Sequence, residues 1–408
     1  MPSVSARAQK MPSSPIRRLV EFALKAESRG VHVHYLNIGQ PDIFSPPAFW
    51  EAVKHAEIPT LEYSHSAGIH SLRVAMAADY QKKGIPVEES EVMVTTGGSE
   101  ATLFAFLACL DPGDEVVCVE PFYANYAGFA EIAQVRLIPV TTYLDQDFAL
   151  PTVAELESKI TGKTKAILLC NPSNPTGSVF SPDALLALAE IARSRDLFLI
   201  VDEVYRDFYY GDGELLSVLQ IPGLERNAVM LDSASKKFSL CGARIGFLVT
   251  KNREILTAGL KFGQARLASP TLDQIGVTAC LKKTPPSYFE AVRREYMARR
   301  DLLRSRLLKM PGVRCPRIEG AFYAVVRLPV DDADRFAEWM VSEFSFKGET
   351  VLVAPCSGFY ITPRRGADEV RIAYVLDQDR LGRAMDCLEA ALLAYPGALV
   401  PDAVAAGR

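Results

Sequence analysis

Four short segments concentrate the residue types that chemistry on a small anionic molecule needs. TTGGSEA (95–101) ends the apolar run VMVT (92–95) and opens a helical pattern. Gly97 and Gly98 let the backbone approach a ligand closely, and the N–H groups and positive dipole end of a starting helix suit an anion. Strand–Gly–Gly–helix is also a common packing turn. CNPSNPTG (170–177) follows a second apolar run. Its Asn-Pro steps and glycine fix a polar loop at a strand's C-terminal end, where open α/β sheets bind ligands; Asn174 can equally cap the next segment. VDEVY (201–205) ends a third run with Asp202, a carboxylate that is costly there unless it caps a helix or meets a ligand cation. DSASKKFSLCGARIGF (232–247) sets Ser233, Ser235 and Lys236 at a strand end, with Arg244 before the next strand. Lys236 or Lys237 alone would read as a surface lysine. A lysine beside two serines and a later arginine reads better as a Schiff-base amine next to a phosphate site.

Several other chemistries lack their signatures. There is no G-x-G-x-x-G dinucleotide loop, and TGKTK (161–165) has Glu157 where a Walker A loop needs its first glycine. No G-x-S-x-G elbow is present. The eight cysteines form no C-x-x-C pair and are expected to be small buried hydrophobes of a reducing compartment. The five histidines give no H-E-x-x-H; His32 and His34 alternate with Val31 and Val33 on one face of a strand, and no metal is expected.

The elements that must position these groups are legible from residue 90 onward. Short runs, many apolar throughout, alternate with helical segments: VMVT, VVCVE (116–120), VRLIPV (135–140), KAILLC (165–170), LFLIVDE (197–203), AVMLDS (228–233) and IGFLV (245–249). Strands covered on both faces by helices look like this. The pattern predicts an α/β fold, a large domain with a mostly parallel central sheet plus a smaller α+β domain. The helix from Ser181, with Pro182 at its first position, shows the expected start signal. The division expected is a loose N-terminal arm at 1–15, a small domain from 16–44 and 287–395, a large domain at 45–286 and a fraying tail at 396–408. Segment 287–310 is a long basic amphipathic helix, read as solvated, with Glu290–Arg294 and Glu295–Arg299 pairs. The 408 residues carry 45 Lys+Arg against 49 Asp+Glu, a net charge of −4 that gives no drive toward nucleic acid or an anionic membrane. No apolar run is long enough to span a bilayer and no secretory signal is read, so a cytoplasmic location is expected.

NPSNPTG, VDEVY and SASKKFSLCGARIG together resemble the fold-type I, class I/II aminotransferases that use pyridoxal phosphate, from YLNIGQPD (35–42) to EVRIAYV (369–375). Within that family the chain is most similar to aspartate-type and broad-specificity bacterial enzymes. The resemblance implies a role for each matching residue. Lys236 would hold the cofactor and shuttle a proton. Asp202 would pair with the pyridinium nitrogen. Tyr205 and Asn174 would bond the ring's phenolic oxygen, and Tyr123 would stack on the ring. Gly97, Gly98, Ser99, Ser233, Ser235 and Arg244 would serve the phosphate, joined by Tyr63 from the neighbouring subunit of a homodimer. Arg371 would grip the substrate α-carboxylate, with the Gly39 backbone and Asn174 beside it.

Some aspartate enzymes carry Lys where this chain has Ser99, so a side-chain carboxylate needs another cation. Arg266, in GQARLASPT (263–271), is the candidate, with a solvated or helix-capping arginine as the alternative. The expected activity is ping-pong transfer of an amino group, aspartate to 2-oxoglutarate as the first guess. A β-lyase or racemase on the same frame, and a pyridoxal-phosphate-binding regulatory domain without turnover, are the rivals.

Overall fold

The computed structural model describes residues 2–399. Its strands are β1 (His32–Tyr35), β2 (Val92–Thr96), β3 (Glu115–Glu120), β4 (Arg136–Thr141), β5 (Thr164–Cys170), β6 (Phe198–Asp202), β7 (Ala228–Ser233), β8 (Ile245–Val249), β9 (Tyr323–Arg327), β10 (Glu349–Leu352), β11 (Ala354–Pro355) and β12 (Glu369–Ala373). The seven apolar runs of the sequence become β2 to β8, and they assemble into one sheet in the order β2-β8-β7-β6-β5-β3-β4. Every residue of β3 and β8 is buried, because helices cover both faces of the sheet. Only β8 runs against its neighbours. The segment 234–244 joining it to β7 is shorter than the dozen or more residues a parallel crossover needs, so the chain must return antiparallel. That segment is the one bearing Lys236 and Arg244.

One edge of this sheet collects the C-terminal ends of β2, β7, β6, β5 and β3 together with the start of β8. The register sets Asp202 beside Cys170, Ser233 beside Gly246 and Thr96 beside Ile245. All four chemistry-bearing segments therefore emerge on one side, as a sheet of this class requires of its ligand site.

A second core draws Leu19, Ala23 and Leu36 together with Leu303, Leu307, Phe336, Val351, Ile372 and Leu388. It is built on the antiparallel sheet β11-β12-β9 and the parallel ribbon β1–β10. Tyr205 and Phe208 also join this core. The segment carrying the site thus packs directly on the β9–β12 layer.

Two expectations are corrected by the packing. The N-terminal arm is not loose throughout: Met11 packs on Gly128 and Pro15 on Gly358, and just beyond the arm the Ile16 carbonyl accepts from Asn37 Nδ2 at 2.8 Å. Residues 396–399 do not fray but pair with 329–331 through Leu399 N to Pro329 O at 2.7 Å and Asp331 N to Gly397 O at 3.0 Å; residues 400–408 lie outside the described residues. The helix Pro286–Leu307 carries the expected Glu295–Arg299 pair at 2.7 Å, while no Glu290–Arg294 pair forms among the described residues. Its Arg299 is buried and also bonds Asp42 and the Val375 carbonyl, tying the helix into the second core. Among the described residues no helix is long and apolar enough to cross a membrane. All eight cysteines are unpaired, six of them buried.

Candidate active site

Lys236 sits in a single helical turn, Ala234–Lys237, capped by Ser233. Its Nζ donates to the Gly39 carbonyl at 2.7 Å and lies 3.6 Å from Cys241 Sγ. Burial holds the amine below its usual pKa, and Arg371 and Arg244 push in the same direction against the opposing effect of Cys241. Successive helical residues diverge by about 100°, and Lys237 accordingly faces the other way. It pairs with Asp79 and lies 3.7 Å from Asp207, while Lys83 bridges the same two carboxylates.

Asp202 ends β6, held by the hydroxyl of Tyr126, which donates to Oδ2 at 2.8 Å, and by the Val204 N–H at 3.2 Å. Burial raises its pKa from 3.8 to about 6, although both hydrogen bonds and Lys236 oppose the shift. A carboxylate so placed lacks a cationic partner among its bonds. Tyr205 Oη is 2.9 Å from Tyr323 Oη and 3.5 Å from Asn174 Nδ2. Tyr123 accepts from Asn125 Nδ2 and packs edge-on against Tyr126, at 5.4 Å between centroids. Burial raises the Tyr123 pKa and Asp202 adds to this, while Arg371, Arg244 and Arg17 pull it down.

Arg371 comes from β12 and is 1% exposed. Its guanidinium lies 4.6 Å from the Tyr323 ring and 5.0 Å from that of Phe359. It donates to Asn174 Oδ1 at 3.0 Å and to the Asn37 carbonyl, and its Nε has no partner. The unused donor suits a carboxylate acceptor. Gly39 has no room for a side chain, since a Cβ there would meet Tyr323 Oη at 1.8 Å.

At the other end of the cleft, the helix Gly97–Cys109 begins directly after β2. Gly97 has φ +76°, and a Cβ there would lie 2.4 Å from Arg244 Nη2, so glycine is required for the arginine to lie against the helix start. Gly98 and Ser99 form the same first turn. Arg244 is exposed, with Nη1 donating to the Cys241 carbonyl at 2.9 Å. Ser233 Oγ is 2.9 Å from both Ser235 Oγ and the Ile245 carbonyl. Free helix N–H groups, two hydroxyls and an arginine form a donor set for a phosphate. Together with an amine of lowered pKa, a carboxylate without a cationic partner and a tyrosine beside it, these groups fit pyridoxal phosphate.

Two sequence candidates stand apart from this cluster. Tyr63 is 81% exposed in a segment held to the helix Thr271–Lys283 by Gln274 Nε2 to Ser64 Oγ at 3.0 Å. Arg266 is engaged within its own subunit. It bonds Glu100 through Nε at 3.1 Å and Nη2 at 3.0 Å, and its charge is already matched. The sequence reading missed Tyr126, Tyr323, Asn37 and Cys241. Tyr126 stands in the same EPFYANY segment as Tyr123, and one turn of spacing was the signal that could have found it. The other three carry no local signature.

A family model described as aminotransferase class I and II matches residues 31–388. An aspartate aminotransferase of Pyrococcus horikoshii is 31% identical over 95% of this chain and 97% of its own length. An aromatic-amino-acid aminotransferase of Thermococcus litoralis is 31% identical over 96% of this chain and 98% of its own. The solved structure of Thermus thermophilus aspartate aminotransferase with maleate superposes with a TM-score of 0.87, at 29% identity, covering 96% of this chain and all of that one.

Proposed function

Because this chain belongs to the class I and II aminotransferases, which work with pyridoxal phosphate, we propose that its preferred exchange is between aspartate and 2-oxoglutarate. The supporting observation is the cleft that brings Lys236 and Asp202, on one edge of the large sheet, to Arg371 of β12, with a phosphate-type donor set at the far end. When bound, the cofactor supplies an aldehyde carbon that condenses with amines and a ring that withdraws electrons from the substrate α-carbon.

Lys236 Nζ would hold that aldehyde carbon, and the same amine, whose pKa burial lowers, would carry the proton to and from the substrate α-carbon. Asp202, oriented by Tyr126, would pair with the protonated ring nitrogen, a cation that would relieve the carboxylate's burial. Asn174 and Tyr205 would bond the phenolic oxygen, and Tyr123 would stack on the ring. Gly97, Gly98, Ser99, Ser233, Ser235 and Arg244 would hold the phosphate, with Tyr63 of the partner subunit. Arg371, held by Asn174 and the Asn37 carbonyl, takes the α-carboxylate beside Gly39.

The second carboxylate of aspartate needs a cation that Arg266, matched by Glu100, does not offer. Arg17 is the better candidate. It is exposed and bears on Tyr123, and the preceding residue, Ile16, is bonded to Asn37, whose carbonyl holds Arg371. The names of two relatives, aspartate aminotransferases of Pyrococcus horikoshii and Thermotoga maritima, support a dicarboxylate donor.

A homodimer with shared sites is supported by the exposed Phe44 (92%), Leu61, Trp50 and Tyr63, apolar groups that a partner surface would cover. Eight unpaired cysteines support a cytoplasmic setting. The core joining Leu19–Leu36 to Val292–Leu392 supports a small domain of 16–44 with 287–395 beside a large domain of 45–286.

The test is a half-reaction screen: mix cofactor-loaded protein with each amino acid and follow loss of the bound cofactor's visible absorbance. Aspartate and glutamate should react fastest, and 2-oxoglutarate should restore the absorbance. Faster reaction with alanine or phenylalanine than with aspartate would reject the dicarboxylate preference. Amino-acid consumption without amine transfer to an added oxo acid would indicate a lyase or racemase instead.

A further inference from the structure

The β1–β10 ribbon carries a cluster that transamination does not use. His32 and His34 stand two residues apart on β1, and therefore on one face, with their rings edge to face at 4.7 Å between centroids. β10 runs parallel beside them, and its Glu349 lies opposite His32 in the register. Glu349 Oε2 is 3.0 Å from His34 Nε2. One ligand atom from each of the three residues can be chosen so that all lie within 4.8 Å of one another. In a tetrahedral site with bonds of about 2.0–2.1 Å, ligand atoms are roughly 3.4 Å apart, so small side-chain rotations close the set around an ion.

The surroundings favour this use. His34 is fully buried and its Nδ1 has no hydrogen-bond partner, so nothing else in the fold commits the ring to one tautomer. Arg383 Nε lies 3.4 Å from Glu349 Oε1 in an ion pair that holds the far oxygen, leaving Oε2 turned to the imidazole; outer partners of that kind orient ligating carboxylates. His32 is exposed and opens the cluster to water.

We propose that His32, His34 and Glu349 bind a divalent transition-metal ion of the zinc type, with water completing the coordination. Two imidazoles and one carboxylate with an open position suit Zn²⁺, Ni²⁺ or Co²⁺ over Mg²⁺ or Ca²⁺, which prefer oxygen ligands. The ion would take the place of the proton between His34 and Glu349. It would pin β1 to β10 just upstream of Asn37 and Gly39, whose carbonyls accept from Arg371 and Lys236. The site is independent of which amino acid the enzyme prefers.

The test is titration of tag-free, cofactor-loaded protein with Co²⁺, read by the visible d–d absorbance and by the thermal midpoint, with Zn²⁺ as competitor. One equivalent should bind, raise the midpoint and be displaced by Zn²⁺. His32→Ala and Glu349→Gln alter exposed or half-buried positions and should each weaken binding at least about 10-fold, whereas His70→Ala should not. Binding equally tight in the His32 and Glu349 variants, including binding through the cofactor itself, would overturn the assignment. So would the absence of saturable binding in the unaltered protein.

Discussion

Replacing Asp202 by asparagine should stabilise the cofactor-free protein while removing most of its turnover. The native carboxyl keeps its proton up to about pH 6, whereas an unfolded aspartate loses it near 3.8. Between those values the native state binds the extra proton, so stability falls as pH rises through the window, and the full penalty applies above it. The displacement corresponds to about 3 kcal/mol, an upper figure because Asp202 keeps partial solvent contact. Asparagine removes the charge and keeps both hydrogen bonds. Its oxygen can accept from the Val204 N–H, and its amide can donate to Tyr126 Oη. Urea unfolding of the cofactor-free forms should show the variant about 1–3 kcal/mol more stable at about pH 8, and the gap should shrink by about half near pH 5. With cofactor bound, turnover should drop at least about 100-fold, since no carboxylate then balances the ring nitrogen's proton. A stability gain that is absent or independent of pH would refute the buried-charge argument. Wild-type turnover with normal cofactor occupancy would refute the role.

The remaining expectations concern individual contacts. Gly97→Ala places a Cβ at 2.4 Å from Arg244 Nη2 in a backbone of φ +76°; it should cost about 1–3 kcal/mol and loosen the cofactor in a dialysis assay. Gly98→Ala, with its nearest contact at 3.7 Å, should do neither. Lys237→Met leaves Asp79 and Asp207 to Lys83 and should lower stability by about 1–3 kcal/mol. Borohydride should still fix the cofactor on Lys236, as peptide mass spectrometry would report; an adduct on Lys237 would redraw the site. Arg371→Leu should raise KM for every amino acid and Arg17→Ser only for aspartate and glutamate, with steady-state kinetics on aspartate and alanine as the comparison. Co-refolding Lys236→Ala with an impaired Tyr63→Ala variant should restore activity above either alone, because one site of the hybrid dimer pairs intact Lys236 with intact Tyr63. No gain once hybrids are demonstrably formed would argue against a shared site.

Much of this protein is written locally. The seven strands of the large sheet are legible because a strand covered on both faces must be apolar along its length, and that condition marks consecutive residues. Ser181 and Pro182 start their helix as read, since capping is settled within one turn, with Ser181 Oγ accepting from Ala184 N. The phosphate-type loop and the Lys236 segment were visible because residue type and spacing at a strand end specify them. Tertiary packing decided what local spacing leaves open. Lys236 and Lys237 are indistinguishable by type; one turn of helix gives the first to Gly39 and the second to Asp79. Arg266 is a free cation on paper and an ion pair in the fold, because the helix Arg253–Arg266 packs on the helix bearing Glu100. The N-terminal arm is held by Met11 against Gly128 and Pro15 against Gly358, contacts that no pattern of its own announces. His32 and His34 give no metal signature by themselves, and Glu349 joins them across 315 positions of chain only when β10 pairs with β1. Periodicity records which face of an element is buried, and it carries no information about which distant side chain is buried against it.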